Sequence, residues 1–577
     1  MHKDQESFPK SGTIAKDVYG GGALANTNTT KLVGEFDNGI PRKDTEGNYV
    51  TTEVHPTTTV NLTGGSFRDA YGGGLGQLAS GTQKAIPAEV GGDVTVTLNG
   101  STVNGNIFGA NNINGTPLGH VLVHVKKTIR RDGHTFDVDA VFGGGNNADY
   151  VPTDTKQYSE VIIEGCDVTC IEKVFGGGNA ANTPGTEVLI KGDSLINEVF
   201  GGGNGRSTAT FTNPGANVGY YHGGAIYAKG EGNAVVKLMA GRVNYVYGGS
   251  DSKGDIRGTS QPTSVTNTHE EGCCANLTVK QIYGGGKDAE MQGGAEIVLS
   301  CMPDDWIEEV YAGARNADVG NDVSLTITSG RFGRVFGGNK DGGKLKGSIT
   351  VNIEENGACG SPIIIGELYG GGDNAPYSMY GYTDNADGSV SPIESGSAPA
   401  YANYHHPVVN VRSFTSIGNI FGGGKGQKAV MVASPTVNIN EVLVGEGNVA
   451  YDVKTDRQLG KSVPDFIAAP DEAAIGKVVL YPHEAGKIGV IGTVYGGGSE
   501  AKVIGDTNVN IGTTTTEPFV NIGENKNPVL DANGGYTFVT KPVVGADIRG
   551  NVYGGGNQAE VTGDTHVVIG KEATTTP

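Results

Sequence analysis

Two hydrophobic patterns alternate along this chain. The first has a strict period of two: DVTVTL at 93–98 sets Val94, Val96 and Leu98 on one side and Thr95 and Thr97 on the other. DVSLTI at 322–327, SITVNI at 348–353, PTVNI at 435–439 and TNVNI at 507–511 repeat it. Alternation over four to six residues predicts a half-buried strand. No stretch of comparable length carries a 3.6-residue period, so helices are expected to be scarce.

The second pattern is an aromatic residue followed by glycines, as in VFGGGN at 141–146, 174–179 and 199–204. The aromatic recurs at Tyr19, Tyr71, Phe108, Phe142, Phe175, Phe200, Tyr247, Tyr283, Tyr311, Phe336, Tyr369, Phe421, Tyr495 and Tyr553. The residue before it is Val, Ile or Leu in thirteen of the fourteen copies, and Val, Ile or Phe stands four positions before it in eleven. The interval between aromatics falls to 25 residues twice, from Phe175 to Phe200 and from Tyr311 to Phe336. Such an interval, holding two or three short strands and their turns, suits one coil of a parallel β-solenoid. A unit with one apolar face per strand cannot fold alone, whereas stacked coils bury those faces continuously.

The expected fold is therefore all-β: a single-chain parallel β-solenoid (β-helix) of about 14 coils with loop insertions, on the order of 65–70 Å long at about 4.8 Å per coil. The residue before each aromatic should face inward and the aromatics should form a ladder beside the glycines. Their mixture, eight Tyr to six Phe, implies hydroxyls that reach solvent. A phosphate-cradling loop occurs once and opens a helix. Fourteen copies with no helical pattern after them read instead as structural corners, where glycine admits φ > 0 and its missing Cβ lets coils approach. The asparagines that follow, Asn146, Asn179, Asn204 and Asn557, are placed to hydrogen-bond their counterparts one coil away.

Composition agrees: 97 of 577 residues are glycine, more than twice the usual share of roughly 7 %, with no G-X-Y period that would indicate collagen. A net charge of −20 argues against nucleic acid, which is held by clustered Lys and Arg. There is no run of 18 apolar residues, so no membrane-spanning helix is expected. The opening MHKDQESFPK lacks the apolar core of an export leader. Repeats close to both ends and a Thr/Pro-rich finish, KEATTTP, read as a segment of a longer protein. The six cysteines (Cys166, Cys170, Cys273, Cys274, Cys301, Cys359) form no C-x-x-C pair, and Cys301, ending the apolar run EIVLSC, reads as a buried thiol.

The unit VYGGGNQAEVTGDTHVVI at 552–569 resembles repeats of large adhesin-like surface proteins of Bacteroidetes. GGAL at 21–24 and GGAI at 223–226 are similar to the GGA-I/L/V repeats of polymorphic outer-membrane proteins, without their F-x-x-N companion at regular spacing. The resemblance implies an extracellular or bacterial cell-surface solenoid, filamentous or adhesive, and supplies no catalytic residues. Expected partners are a glycan, a host or neighbouring protein surface, or further copies in a filament.

Insertions in solenoids map to loops and carry their binding functions. Four stand out, at 27–57, 205–222, 375–406 and 443–488. The third holds Tyr377, Tyr380, Tyr382, Tyr401 and Tyr404 followed by His405 and His406, aromatic faces suited to stacking on sugar rings or to a protein interface. The alternative to a non-catalytic protein is a carbohydrate-active enzyme, a polysaccharide lyase or glycoside hydrolase. For it PDDWIEEV at 303–310 offers Asp304, Asp305, Glu308 and Glu309 beside Trp306, in what reads as a solvated corner. No cofactor is expected. Carboxylates in GGGDNA at 370–375 and GSDSKGD at 249–255 would serve at most a structural calcium, and the nonapeptide period of calcium-binding rolls is absent.

Overall fold

The computed structural model describes residues 12–28, 30–154, 157–165, 169–205, 233–259, 261–269, 276–302, 305–356, 361–401, 404–443, 483–484 and 486–571. Two long parallel sheets dominate, one of fifteen strands and one of fourteen, and successive coils contribute neighbouring strands to each. The chain is a parallel β-solenoid, and no helix occurs among the described residues.

One coil shows the rule. Gly185–Ile190 belongs to the sheet of alternating strands, a turn carries Gly192 at φ 73°, and Ser194–Phe200 joins the sheet that carries the aromatics. The glycine corner follows, then a third, shorter wall of isolated parallel bridges. Ile256, Met291, Val319 and Leu345 form one run of it, and Met431, Val503 and Val561 another. Alternation works as expected: Val94, Val96 and Leu98 are fully buried, and Thr95 and Thr97 are half-buried on the outer face.

In the aromatic sheet the inter-coil pairing skips one residue per strand, for instance Glu172 between Ile171 and Lys173. That irregularity lets residues four and one before the aromatic both face inward, which explains their spacing in the sequence. Ile171 and Val174, Ile196 and Val199, Val243 and Val246 all enter one continuous core. The aromatics point to the opposite face and form a cluster of their own. Their rings stack in parallel from Tyr19 to Tyr553, with centroids 4.7–5.0 Å apart. At about 4.8 Å per step the ladder runs roughly 60 Å.

The glycine corners differ from expectation in mechanism. None of the described triplet glycines has positive φ; left-handed backbone sits instead in the turns between the two long sheets, at Gly100, Gly192, Gly241 and Gly330. What the triplets require is closeness. A Cβ on Gly72, Gly109, Gly143, Gly176 or Gly201 would run into the carbonyl oxygen of the matching glycine in the next coil. Asparagines beyond the corners do form a ladder: Nδ2 of Asn146 donates to Oδ1 of Asn112 (2.9 Å), Asn179 to Asn146 (2.8 Å) and Asn204 to Asn179 (2.7 Å). Asn557 has Ser499 as its counterpart, and its backbone N donates to the Gly498 carbonyl. A second asparagine row, Asn352, Asn410, Asn438 and Asn510, runs down the alternating sheet.

Five of the eight ladder tyrosines do not reach solvent, whereas Tyr19 and Tyr495 are half-buried and Tyr553, at the end of the ladder, is exposed. Tyr71, Tyr247, Tyr283, Tyr311 and Tyr369 are buried, and hydroxyls donate to neighbouring acceptors, Tyr283 to Gln281 (2.7 Å) and Tyr369 to Glu367 (3.1 Å). Polar rows on either side of the rings form a roof of ion pairs. Lys173 meets Asp251 (2.7 Å) and Glu198 (3.1 Å), Lys287 meets Glu198 (2.7 Å), and both ammonium groups lie near the Phe200 ring. Burial pushes the Glu198 carboxyl up, but Lys287 and Lys173 outweigh it and hold the group below its usual range.

Of the expected insertions, 27–57 carries two short exposed hairpins, Lys31–Gly34 with Thr51–Val54 and Phe36–Asp37 with Ile40–Pro41. Most of 205–222 and 443–488 lies outside the described residues. A fifth, unexpected insertion lies between Ile511 and Ala546. Its hairpin, Thr516–Val520 with Phe538–Pro542, folds back along the alternating sheet. Glu517 meets Arg412 (3.0 Å), Val520 N donates to Glu354 (2.8 Å), and Asn527 exchanges bonds with the His269 backbone. From Ile511, where the arm leaves the sheet, to His269 is six coil steps, roughly 30 Å.

Candidate binding groove

The tyrosine-rich insertion leaves the third wall after Ala375. Tyr377–Ser378 continues that wall beside Met431–Val432, so Tyr377 is buried, and its hydroxyl donates to the Gly347 carbonyl (2.7 Å). The Tyr382 hydroxyl donates to the Leu345 carbonyl (2.7 Å) and accepts from Ser378 N (3.2 Å). Tyr404 packs against the core with its ring 6.1 Å from that of Tyr377. Burial pushes the hydroxyls of Tyr377, Tyr382 and Tyr404 far above the usual tyrosine range. Three of the five tyrosines therefore fasten the loop to the solenoid.

Tyr380 and Tyr401 are half-buried, as are Tyr382 and Tyr404, but they are not part of the core cluster. Gly396 lies against the Tyr380 ring, and the left-handed Gly381 sits beside the Tyr401 hydroxyl. Burial, then the charge of Asp318, raises Tyr401, while Lys344 opposes them. The histidines that follow serve the wall: Nδ1 of His406 accepts from Ser434 N (3.0 Å), and His405 N donates to Ser348 (2.6 Å).

Beyond Tyr382 the chain makes a small exposed hairpin, Tyr382–Asp384 with Val390–Pro392. Asp384 reaches the wall through Lys344 (2.7 Å). Between hairpin and wall lies an open groove of about 660 Å³. Four successive coils line it, through Ser252 to Asp255 with Arg257, Asp288 to Glu290, Asn316 to Asp318, and Gly343 with Lys344; the hairpin adds Asp384, Gly388 and Val390. Arg257 pairs with Asp255 (2.9 Å), Asn316 donates to Asp288 (3.2 Å), and Lys344 N donates to Asp318 (2.8 Å). The lining is polar, ordered by its own hydrogen bonds, and dominated by acceptors.

The carboxylates at 303–310 behave otherwise. Asp304 lies outside the described residues. Trp306–Tyr311 is a buried strand of the aromatic sheet and not a solvated corner. Glu309 is neutralised by Arg334 (2.7 Å) and Lys340 (2.6 Å), and Glu308 faces Lys280 (3.3 Å). Cys301, read as a buried thiol, is disulfide-bonded, whereas Cys170 is free. In the two candidate calcium stretches, Asp251 is committed to Lys173, and Asp373 faces Lys425 (3.6 Å) and the Tyr311 hydroxyl (3.4 Å). No group of three or more His, Cys, Asp or Glu suited to a metal ion occurs among the described residues.

The groove's far wall escaped the sequence reading because its residues sit inside regular repeats. The available signal was that one lining residue per coil stands just before a third-wall residue, as Glu290 does before Met291. The fold defines a parallel β-solenoid bearing a loop-flanked polar groove. Comparison with family models, curated proteins and solved structures found no match to this chain.

Proposed function

We propose that this protein is a non-catalytic spacer of the bacterial cell surface or extracellular space, a stiff solenoid that displays a binding surface at the 375–406 insertion. The observation that carries the reading is the division of labour among the five tyrosines. Tyr377 and Tyr382 bond solenoid carbonyls and Tyr404 packs on the core, while Tyr380 and Tyr401 are half-exposed and lie outside that core. An aromatic face held rigidly beside polar groups suits a glycan or a partner protein surface.

Stiffness follows from the same packing. Each coil is joined to its neighbours by two parallel ladders and a ring stack, so force or torque applied at the loop is transmitted along the whole wall.

The test is a binding assay of the full chain on glycan arrays and intact cells, with Tyr380→Ala/Tyr401→Ala as the variant. Both side chains lie outside the core, so the melting temperature should hold while binding falls at least tenfold. Binding unchanged by the double variant would sink the reading.

A further inference from the structure

We propose that the groove between the third wall and the 382–392 hairpin binds an extended, uncharged polysaccharide whose sugar residues keep step with the coils. This rests on the display reading above and names its ligand.

The first ground is register. Asp255, Glu290, Asp318 and Lys344 each stand immediately before a third-wall residue, and those residues pair in parallel from coil to coil. A charged groove position therefore recurs once per coil, at the strand spacing of about 4.8 Å, with carboxylates in three coils and an ammonium in the fourth. An extended pyranose chain advances by nearly that distance per sugar, so consecutive sugars fall opposite consecutive coils, with alternate rings turned over in a two-fold β-1,4 chain. A peptide strand advances only about 3.4 Å per residue, so its residues fall out of step with the coils.

The second ground is chemistry. Carboxylates and an amide line the groove, and their oxygens accept hydrogen bonds from sugar hydroxyls. Arg257, Asn316 and the Lys344 backbone fix several of these acceptors in place before any ligand arrives, which lowers the ordering cost of binding. Five lining carboxylates outnumber three lining cations, so uronate or sulfated polymers are repelled. The lining offers little apolar surface to a lipid or to a hydrophobic side chain.

The third ground is shape. The groove crosses four coils, is open to solvent along its length, and is bounded on one side by a hairpin pinned through Lys344 and Asp384. That form admits the middle of a long chain as well as its end.

The experiment is calorimetric titration of the full chain with neutral β-1,4-linked gluco-, xylo- and manno-hexaoses, alongside a hexauronate and a lysine-rich peptide. The expected result is binding of at least one neutral hexaose, weaker binding of its trimer, and at least tenfold loss in Glu290→Ala/Asn316→Ala at an unchanged melting temperature. No neutral hexaose binding, preference for the uronate or the peptide, or an unaffected Glu290→Ala/Asn316→Ala variant would each overturn the assignment. If Tyr380→Ala/Tyr401→Ala abolishes binding to arrays or cells while Glu290→Ala/Asn316→Ala does not, the display reading stands and the groove assignment fails. If neither variant changes binding, both fail.

Discussion

The regular coils and the two fold-back insertions solve the same burial problem by different means. In the coils most positions have an equivalent above and below: Phe200 lies 4.9 Å from Phe175 and 4.9 Å from Tyr247 and pairs with both strands. In the insertions each contact is made once. Tyr377 caps the Gly347 carbonyl, and Glu517 reaches Arg412 across 105 residues of chain. Periodic packing spreads a defect over neighbours that all depend on one geometry. Single contacts confine a defect to one element, which can detach without disturbing the wall.

That contrast can be broken or sharpened by substitution. Phe200→Ala removes a buried ring from the middle of the ladder and opens a cavity, with an expected cost of about 3–5 kcal/mol. Hydrogen exchange should rise over several coils on both sides, because repeat stability is shared between neighbours. Exchange confined to residues 194–204 would mean that the ladder is not cooperative.

Arg412→Ala should cost about 3–4 kcal/mol by leaving Glu354 and Glu517 without their common partner. The loss should appear as proteolysis within 512–546, with the coils still protected. Global unfolding would show that the arm is part of the solenoid core.

A pH-dependent effect concerns Glu355, which is 1 % exposed and accepts from Ile363 N (2.9 Å) and Thr415 (3.0 Å). Burial raises its carboxyl to about 7 from an ordinary 4.5. Because the folded value is the higher one, the contribution is complete below pH 4.5 and is lost as pH climbs through 7. Relative to Glu355→Gln, the wild type should therefore lose up to about 3 kcal/mol between pH 4.5 and 7. Denaturation at several pH values checks this, and a difference that grows in the opposite direction contradicts it.

The same contrast explains what could be read in the sequence. The coils were legible because inter-coil burial imposes a repeat: Val94, Val96 and Leu98 alternate, and Ile171 and Val174 stand four and one before Phe175. The arm at 512–546 left no such trace, since the partners of Glu517 and Asn527 lie far away in sequence and set no spacing. For the tyrosine loop, composition marked the place but not the roles, because whether Tyr382 or Tyr401 faces the wall depends on carbonyls offered by other coils. The hydroxyls of the inner ladder tyrosines were misjudged because acceptors two residues before the ring, Gln281 and Glu367, share the ring's face by ordinary strand alternation.

The central claim is that the glycine triplets exist for the approach of the next coil, and Gly497 and Gly555 test it directly. Both are the second glycine of their triplet and neither has positive φ. A Cβ on Gly497 would press on Gly556 and Val561, while one on Gly555 meets nothing within 4 Å. Gly497→Ala should loosen the coil stacked on it by about 1–3 kcal/mol, seen as at least tenfold faster hydrogen exchange across Val552–Tyr553 and Thr565–Ile569. Gly555→Ala should leave exchange unchanged or slightly slower. Equal damage from both substitutions would contradict the account, because the glycine would then be serving its own turn or a ligand and not its neighbour.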